Sequence, residues 1–303
     1  MIGRLELDRL ISAKRCRERD LVVAMIVQRL IAPCSKLATT REWHTTTLAE
    51  ELGVAEATKN DLYEAMDWLF ARQERIEKKL AARHLREEGL VLYDVSSSFY
   101  EGRTCPQFGH DRDGKNGLPI IVYGMMTNGE GCPVAVSVYA GNMGDPTTVA
   151  EQVEKLREKF GLQRVVMVGD RGMLTQPQIN KLKQRPGLGW ITALTSTAIR
   201  QLVEQGALQL SLLDQKNLAE ISAPDYPGER LMVCHNPVLE EQRRRKRQAL
   251  LEATEKSLEK ISKDVARRKK KLFTAAEIGV KVRKVLGRYK MGKHLECMQD
   301  RRG

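Results

Sequence analysis

Asp94 and Asp170 are the residues of this chain best suited by type and spacing to chemistry. Each closes a short apolar run: Leu90-Val91-Leu92-Tyr93-Asp94 and Val165-Val166-Met167-Val168-Gly169-Asp170. Such runs, rich in β-branched residues and without polar alternation, read as interior strands covered on both faces, and open α/β sheets collect their ligands where such strands end. Two carboxylates at neighbouring strand ends suit a hard divalent cation, Mg²⁺ or Mn²⁺. Paired cations can hold the attacking and leaving oxygens of a phosphoryl transfer, which makes a phosphodiester or phosphate ester the expected substrate. Taken singly, either residue serves equally well as a turn or helix-cap aspartate, so the elements around them decide.

Upstream of the first run the pattern is helical. Residues 17–31 predict a helix stopped by Pro33. Leu62, Met66, Leu69, Ile76 and Leu80 fall on one face of a second, long helix from residue 60 or 61 to about 86, closed by Gly89. Between them, residues 45–52 and the break at Gly53 give a weak helix-turn-helix pattern. A packed helical subdomain is the better reading, because the following helix is too long and too evenly charged to lie in a DNA groove. From Leu90 the period changes. Strands are expected at 90–95, 118–127 and 132–140, the last two joined by the hairpin signal Asn128-Gly129-Glu130-Gly131, in which Asn-Gly tolerates positive φ. Asp145 as cap and Pro146 at the first position open a helix to about Phe160, which Gly161 ends. A strand at 164–168, a helix near 175–183 and a strand at 189–194 follow. The order βββαβαβ brings the fourth strand beside the first, and with it Asp170 beside Asp94 across 76 positions. This is the ribonuclease H-like α/β arrangement, a mixed sheet. A phosphatase of the haloacid dehalogenase type also begins with a strand-end Asp, but it requires a second Asp where this chain has Ser96 and a third where it has Leu174.

The chain of 303 residues is long enough for one large or two ordinary domains. Cys16, Cys34, Cys105, Cys132, Cys234 and Cys297 are far apart with no C-x-x-C pair, which argues against a zinc site or a disulfide framework and makes a reducing cytoplasm the expected setting. The longest apolar stretch, 21–32, is interrupted by Gln28 and Arg29 and is too short to span a bilayer; the charged residues before it do not make a secretory signal. The net charge of +12 is unevenly placed: residues 1–238 carry 30 basic and 30 acidic side chains, residues 239–303 carry 21 and 9. That asymmetry suggests a polyanionic partner, nucleic acid or an anionic membrane. Residues 239–276 read as one helix containing Arg243-Arg244-Arg245-Lys246-Arg247 and Arg267-Arg268-Lys269-Lys270-Lys271, with a thin seam of Leu250, Leu251, Leu258, Ile261, Val265 and Leu272. At ~1.5 Å per residue it would extend more than ~50 Å, enough to lie along a DNA backbone. A solvated arm or a dimerising coiled coil is the alternative.

Several strings carry a resemblance: Tyr93-Asp94-Val95-Ser96-Ser97, Phe108-Gly109-His110-Asp111-Arg112-Asp113-Gly114-Lys115, Ile121-Val122-Tyr123-Gly124, Gly141-Asn142 with Asp145-Pro146-Thr147-Thr148, and Val168-Gly169-Asp170-Arg171-Gly172-Met173. In order, and over about residues 5–294, the chain resembles the DDE transposases of bacterial insertion sequences, in the branch whose last acid sits in a Tyr, Arg, Glu, Lys signature. The resemblance implies DNA transposition. Asp94 and Asp170 would hold two Mg²⁺ or Mn²⁺ ions for metal-dependent nicking at the element's ends, then for attack of the new 3′-hydroxyl on target DNA. It also implies DNA as partner and a homo-oligomer on that DNA. Arg171 beside Asp170, and His110 and Arg112 in the loop after the first strand, are candidate phosphate contacts. Arg171 and Arg112, with Arg243, Arg244, Arg245, Arg247, Arg267 and Arg268, make up the expected DNA-binding set.

One part of the family pattern is missing. Its third acid is a Glu with Tyr seven residues before, Arg four before and Lys seven after. Glu296 lies seven after Tyr289, but the Arg and Lys positions fall on Gly292 and Gly303. The block Gly287-Arg288-Tyr289-Lys290-Met291-Gly292-Lys293-His294 instead resembles a strand-forming segment that the family carries upstream of its Glu. The chain is therefore expected to be truncated before the catalytic Glu and impaired in catalysis. A non-enzymatic DNA-binding remnant or repressor of transposition is the alternative. The expected organisation is an α-helical region at 1–88, a ribonuclease H-like core at 89–198, and an insertion region at 199–303 with a long basic helix and an incomplete C-terminus.

Overall fold

The computed structural model describes residues 2–101, 108–109, 117–209, 217–267 and 273–295. His110, Arg112, Arg268, Lys269, Lys270, Lys271, Leu272 and Glu296, with Cys105 and Cys297, lie outside the described residues. The chain folds as two compact units, 1–195 and 196–303.

The first unit opens with helices α1 (Ile2–Leu5), α2 (Leu7–Ile11), α3 (Arg17–Ile31), α4 (Lys36–Glu42), α5 (Leu48–Leu52), α6 (Lys59–Phe70) and α7 (Gln73–His84), with a one-turn 3₁₀ helix at Trp43–Thr45. Leu21, Val22, Val23 and Ala24 of α3 are buried with Trp43, Leu62 and Ala65 in one apolar cluster. The segment containing the helix-turn-helix pattern belongs to this packed helical group: α5 has five residues, and Gly53 closes it in the left-handed region at φ +67°.

The single long helix expected from residue 60 to 86 is two helices. A capping box starts α6, with the Asp61 amide donating to Thr58 Oγ1 (3.4 Å) and the Thr58 amide to the Asp61 carboxylate (2.7 Å). At Ala71 and Arg72 the chain turns, and the Arg72 guanidinium donates to the Trp68 carbonyl (2.9 Å) while lying 3.7 Å from the centre of its ring. The apolar stripe is continuous in sequence but serves two cores. Leu62 and Ala65 join the α3 cluster, whereas Leu80 packs against the cluster beneath the sheet. A straight helix could not face both.

The sheet follows: β1 (Gly89–Phe99), β2 (Ile120–Asn128), β3 (Pro133–Ala140), helix α8 (Asp145–Glu154) running into a π-helical turn (Lys155–Lys159), β4 (Val165–Val168), α9 (Gln176–Lys183) and β5 (Leu188–Ile191). The strand order is β3-β2-β1-β4-β5. β1 and β2, and β2 and β3, are antiparallel, while β1 with β4 and β4 with β5 are parallel. This is the ribonuclease H-like mixed sheet expected from the element order. In the turn between β2 and β3, Asn128 acts through its side chain, whose Oδ1 accepts from the amides of Glu130 (3.0 Å) and Cys132 (2.8 Å). Positive φ falls on Gly131 (+83°). The cap of α8 is Gly144, and Asp145 is its first helical residue.

The expectation that both faces of the sheet are covered is overturned. Along β1, Tyr93 and Val95 are buried while Asp94, Ser96 and Ser98 are exposed, and Leu90 is 44% exposed. Met125, Val136, Val138 and Ile191 are exposed as well. The run 90–93 is apolar at every position, so its composition hides an alternation that is present in space.

The covered face contains a polar chain as well as apolar packing. Glu77 of α7 accepts from the Val136 amide (3.1 Å), and Gln73 donates to the Val136 carbonyl (2.8 Å). Lys155 Nζ donates to Glu77 Oε2 (3.3 Å) and Ser137 Oγ (3.0 Å). Gln152 donates to Ser137 Oγ (3.1 Å) and Tyr139 Oη (2.7 Å), and the Tyr139 and Tyr93 hydroxyls share a bond of 3.4 Å. Burial holds both phenols above their ordinary pKa. The Glu77 and Lys155 side chains are 8% and 9% exposed, so ion pairing must offset a large desolvation penalty; removing one partner typically destabilises by about 3–5 kcal/mol. Lys155→Ala is expected to lose stability of that order in denaturant unfolding at neutral pH, and a loss below about 1 kcal/mol would show that the ammonium is dispensable.

The second unit contains α10 (Ser196–Glu204), an antiparallel hairpin of β6 (Leu218–Ile221) and β7 (Leu231–Cys234), α11 (Pro237–Arg267), α12 (Ala275–Tyr289) and a 3₁₀ turn at Gly292–His294. The helix expected over 239–276 does not continue through 276, because Thr274 and Glu277 form a capping box that begins a new helix. The block from Gly287 to His294 is not a strand: α12 runs to Tyr289 and Lys290 closes it at φ +55°. α12 packs on α11, with Ser257 Oγ 3.4 Å from Tyr289 Oη and Thr254 fully buried. The seam residues Leu250, Leu251, Leu258, Ile261 and Val265 are half-buried. Among the described residues no single helix is long and apolar enough to cross a membrane, and Cys16, Cys34, Cys132 and Cys234 are free thiols.

Candidate active site

Asp94 stands midway along β1, not at its end. Its neighbours Tyr93 and Val95 are anchored in the buried cluster. Opposite them on β2, Gly124 leaves room for the Tyr93 ring, which a Cβ at that position would overlap. With odd-numbered residues fixed inward, alternation turns Asp94 to the open face. Its Oδ1 accepts from the Val95 amide (2.9 Å), and it lines a groove of about 310 Å³ with Leu92, Ser96, Tyr123, Met125 and Thr127.

Asp170 lies just past β4. The last paired rung between β1 and β4 is Leu92 opposite Val168, and each aspartate stands two residues beyond it. Asp170 Oδ1 accepts from the Met173 amide (2.8 Å) and its carbonyl from the Leu174 amide (2.9 Å), so it organises the turn that follows. The capping role leaves the second carboxylate oxygen of Asp170 without a partner among the described residues.

The β1–β4 register is held at the other end of the ladder. Glu87, just before β1, accepts the amides of Gln163 (2.8 Å) and Arg164 (2.7 Å) on its two carboxylate oxygens. The Glu88 amide donates to the Arg164 carbonyl (2.6 Å), and the Arg164 guanidinium pairs with the Glu88 carboxylate (2.9 Å). The two amides hold the Glu87 carboxyl below its ordinary pKa. A depressed carboxyl contributes stability that is present above ~pH 4.3 and lost as pH falls through its folded value. On acidification from pH 5 to pH 3, the wild-type chain is therefore expected to lose more stability than Glu87→Gln; parallel denaturation curves for the two across that range would contradict the assignment.

A carboxylate midway along β1 and another just past the end of the adjacent β4 have the donor chemistry of a hard divalent cation. Mg²⁺ in particular is commonly held by one or two carboxylates, with water and phosphate oxygens completing the shell. Among the described residues no group of three or more acidic, His or Cys side chains stands together. A second ion would therefore need donors from elsewhere.

Of the remaining expected residues, Arg171 is exposed in the turn after Asp170 and has no ion pair among the described residues. Ser96 and Ser98 share the open face with Asp94, and Ser98 Oγ lies 3.3 Å from Tyr123 Oη. Sequence reasoning passed over them, although the Asp94, Ser96, Ser98 alternation was their signal.

In the second unit Arg243, Arg244, Arg245 and Arg247 are all exposed on α11, as is Arg267 at its end. They are not equivalent. Arg244 and Arg245 both pair with Glu241, at 2.5 and 2.7 Å, and hold its carboxyl below the ordinary range. Arg243, Lys246 and Arg247 have no carboxylate partner among the described residues. Arg243 and Arg247 continue the helical stripe of Leu250, Thr254, Leu258 and Ile261, the face that packs under α12 further along. Each phosphate neutralised contributes about −0.9 to the logarithmic salt slope of duplex binding. The double substitution R243A/R247A is expected to reduce that slope by about two for a random-sequence duplex, read by fluorescence anisotropy; an unchanged slope would remove these two from the contact set.

Comparison with known proteins was made by family model, by sequence and by structure. No family model matches the chain, and no curated protein matches it. Among solved structures it is similar to a piggyBac transposase synaptic complex with hairpin DNA, at 13% identity and a TM-score of 0.42, over 71% of this chain and 50% of that one. It is also similar to the Mos1 transposase paired-end complex with the left transposon end, at 9% identity and TM-score 0.25 over 64% and 72% of the two chains. The Mos1 strand transfer complex matches at 11% identity and TM-score 0.25 over 64% and 65%. The chain spans half the length of the piggyBac chain it matches.

Proposed function

We propose that this chain is the ribonuclease H-like part of a DNA transposase of the bacterial insertion-sequence kind, with Asp94 and Asp170 as its catalytic, cation-holding pair. The observation that carries the reading is the parallel rung Leu92–Val168, with Asp94 two residues further along β1 and Asp170 two residues past it in the segment that leaves β4. The family strings around the same two residues support it independently. A bound Mg²⁺ or Mn²⁺ would supply Lewis acidity at a phosphodiester and lower the pKa of a bound water. The chain's own residues hold that cation and orient the strand: Arg171 stands next to Asp170 to meet a phosphate, and the groove of Leu92, Tyr123 and Met125 gives Asp94 an apolar flank. The arginines of α11 add affinity for the duplex backbone that carries no base preference.

The lack of a third acid beside the pair among the described residues favours a second reading, in which the polypeptide binds element ends and represses or poisons an intact enzyme. One set of measurements on the purified 303-residue chain separates the two. Mn²⁺ binding, read by electron paramagnetic resonance, is expected to weaken at least tenfold in D94N and in D170N, while anisotropy on a random duplex stays at wild-type affinity. Nicking of a supercoiled plasmid carrying the DNA that flanks the gene is expected to be slow. Robust Mn²⁺-dependent nicking that D94N abolishes would establish the enzyme and remove the repressor reading. Mn²⁺ affinity unchanged in both variants would overturn the cation pair.

A further inference from the structure

We infer that Glu87 is a positioning residue for the aspartate pair: by gripping the Gln163 and Arg164 amides it sets the register of β4 beside β1, and so the level at which Asp170 stands next to Asp94. The inference rests on the cation-pair reading proposed above for its functional meaning, but not for the register role itself.

The need for such a device follows from the strands. The β1–β4 ladder has only four rungs, Gly89–Val165 to Leu92–Val168. The β4 sequence Val165-Val166-Met167-Val168 is nearly degenerate, with Val165 and Met167 buried and Val166 and Val168 half-buried. Sliding it by two residues keeps an apolar side chain on two of the four rungs and brings Gly169 and Asp170, or Gln163 and Arg164, onto the other two, so only half of a short ladder opposes the slip through burial. The geometric tolerance at Asp170 is much smaller. A two-residue slip moves a side chain ~6.6 Å along a parallel strand, at ~3.3 Å per residue. Two oxygens on one divalent cation, each at ~2.0–2.6 Å, are separated by at most ~5 Å. A one-residue slip turns Asp170 to the opposite face altogether.

Glu87 resolves this from outside the ladder. Its two oxygens receive two successive amides turned to the same side immediately before the first rung, an arrangement that the alternating amides of the strand itself do not offer. The Glu88 amide adds a backbone bond to the Arg164 carbonyl in the same register. The Arg164–Glu88 ion pair at the same place has side chains 64% and 67% exposed, and such pairs contribute little. The carboxylate fork is therefore the specific element. Glutamine offers one acceptor oxygen where two amides need one each, and its NH₂ group would face the second amide donor to donor.

The test uses the full chain. In E87A and E87Q, Mn²⁺ affinity by electron paramagnetic resonance is expected to fall at least tenfold, and amide hydrogen exchange at residues 165–168 to speed up, with near-ultraviolet circular dichroism unchanged. R164A, which removes the exposed ion pair and leaves both backbone amides that Glu87 accepts, is expected to keep Mn²⁺ affinity within twofold. If E87A keeps both wild-type Mn²⁺ affinity and wild-type exchange at 165–168 while D94N loses Mn²⁺, the positioning role is overturned and the cation pair stands. If D94N and D170N bind Mn²⁺ like the wild type, the cation pair falls alone. Faster exchange in E87A then still supports the register role, and unchanged exchange overturns it.

Discussion

The parallel pairing of β1 with β4 is the constraint on which the first unit turns. It joins segments separated by more than seventy residues, and it does so through four rungs at the centre of a five-stranded sheet. Everything upstream prepares it. The β1–β2–β3 meander supplies the antiparallel half, and α8 with its π-helical turn returns the chain so that β4 enters beside β1. The cluster of Val91, Tyr93, Met167, Val153 and Leu156 holds that junction from the covered side. The proposed pairing of Asp94 with Asp170 depends on this register, because the ladder's last rung lies two residues before each of them.

A second coupling ties the helical segment to the sheet. Each has its own apolar cluster, and apolar packing alone would let them behave as neighbours with little to say to each other. α7 prevents this through polar atoms, as Glu77 joins Lys155, the Val136 amide and, through Ser137 and Gln152, the two tyrosine hydroxyls behind Asp94. Buried polar chains of this kind specify geometry more sharply than apolar contact, because each donor has only a few acceptors within reach. The break at Ala71 and Arg72 is what frees α7 to reach the sheet while α6 stays on α3.

Much of the fold was legible in the sequence. The strand order, the crossover and the bounds of α3 could be read from periodicity and from Pro and Gly punctuation, because those signals are local. The misreadings have local causes too. The stripe from Leu62 to Leu80 keeps its helical phase across a turn, so nothing in the pattern marks the break. The cap position of α8 falls on Gly144, one residue before the Asp-Pro pair that signals the start of the helix. The 239–276 helix was over-extended because the Thr274–Glu277 box follows an unbroken run of helix formers. At the candidate site, the strings single out the two aspartates as candidates, but the open face and the contacts of Glu87 could not be read from them. Exposure of one side of β1 depends on what lies across the sheet, and the partners of Glu87 are 76 and 77 positions away.

The side chains that α7 sends to Val136 have a consequence for assembly. β3 is an edge of the sheet, and an edge ordinarily presents free amides and carbonyls that recruit foreign strands. Here a carboxylate and a carboxamide one helical turn apart take the place of the missing strand, one accepting the outward N–H and the other donating to the outward C=O of the same residue. The outward groups of Val136 are thus already taken by two side chains, in the manner of an inhibitor bound to its own backbone, and a foreign strand cannot pair with β3 at that residue without displacing them.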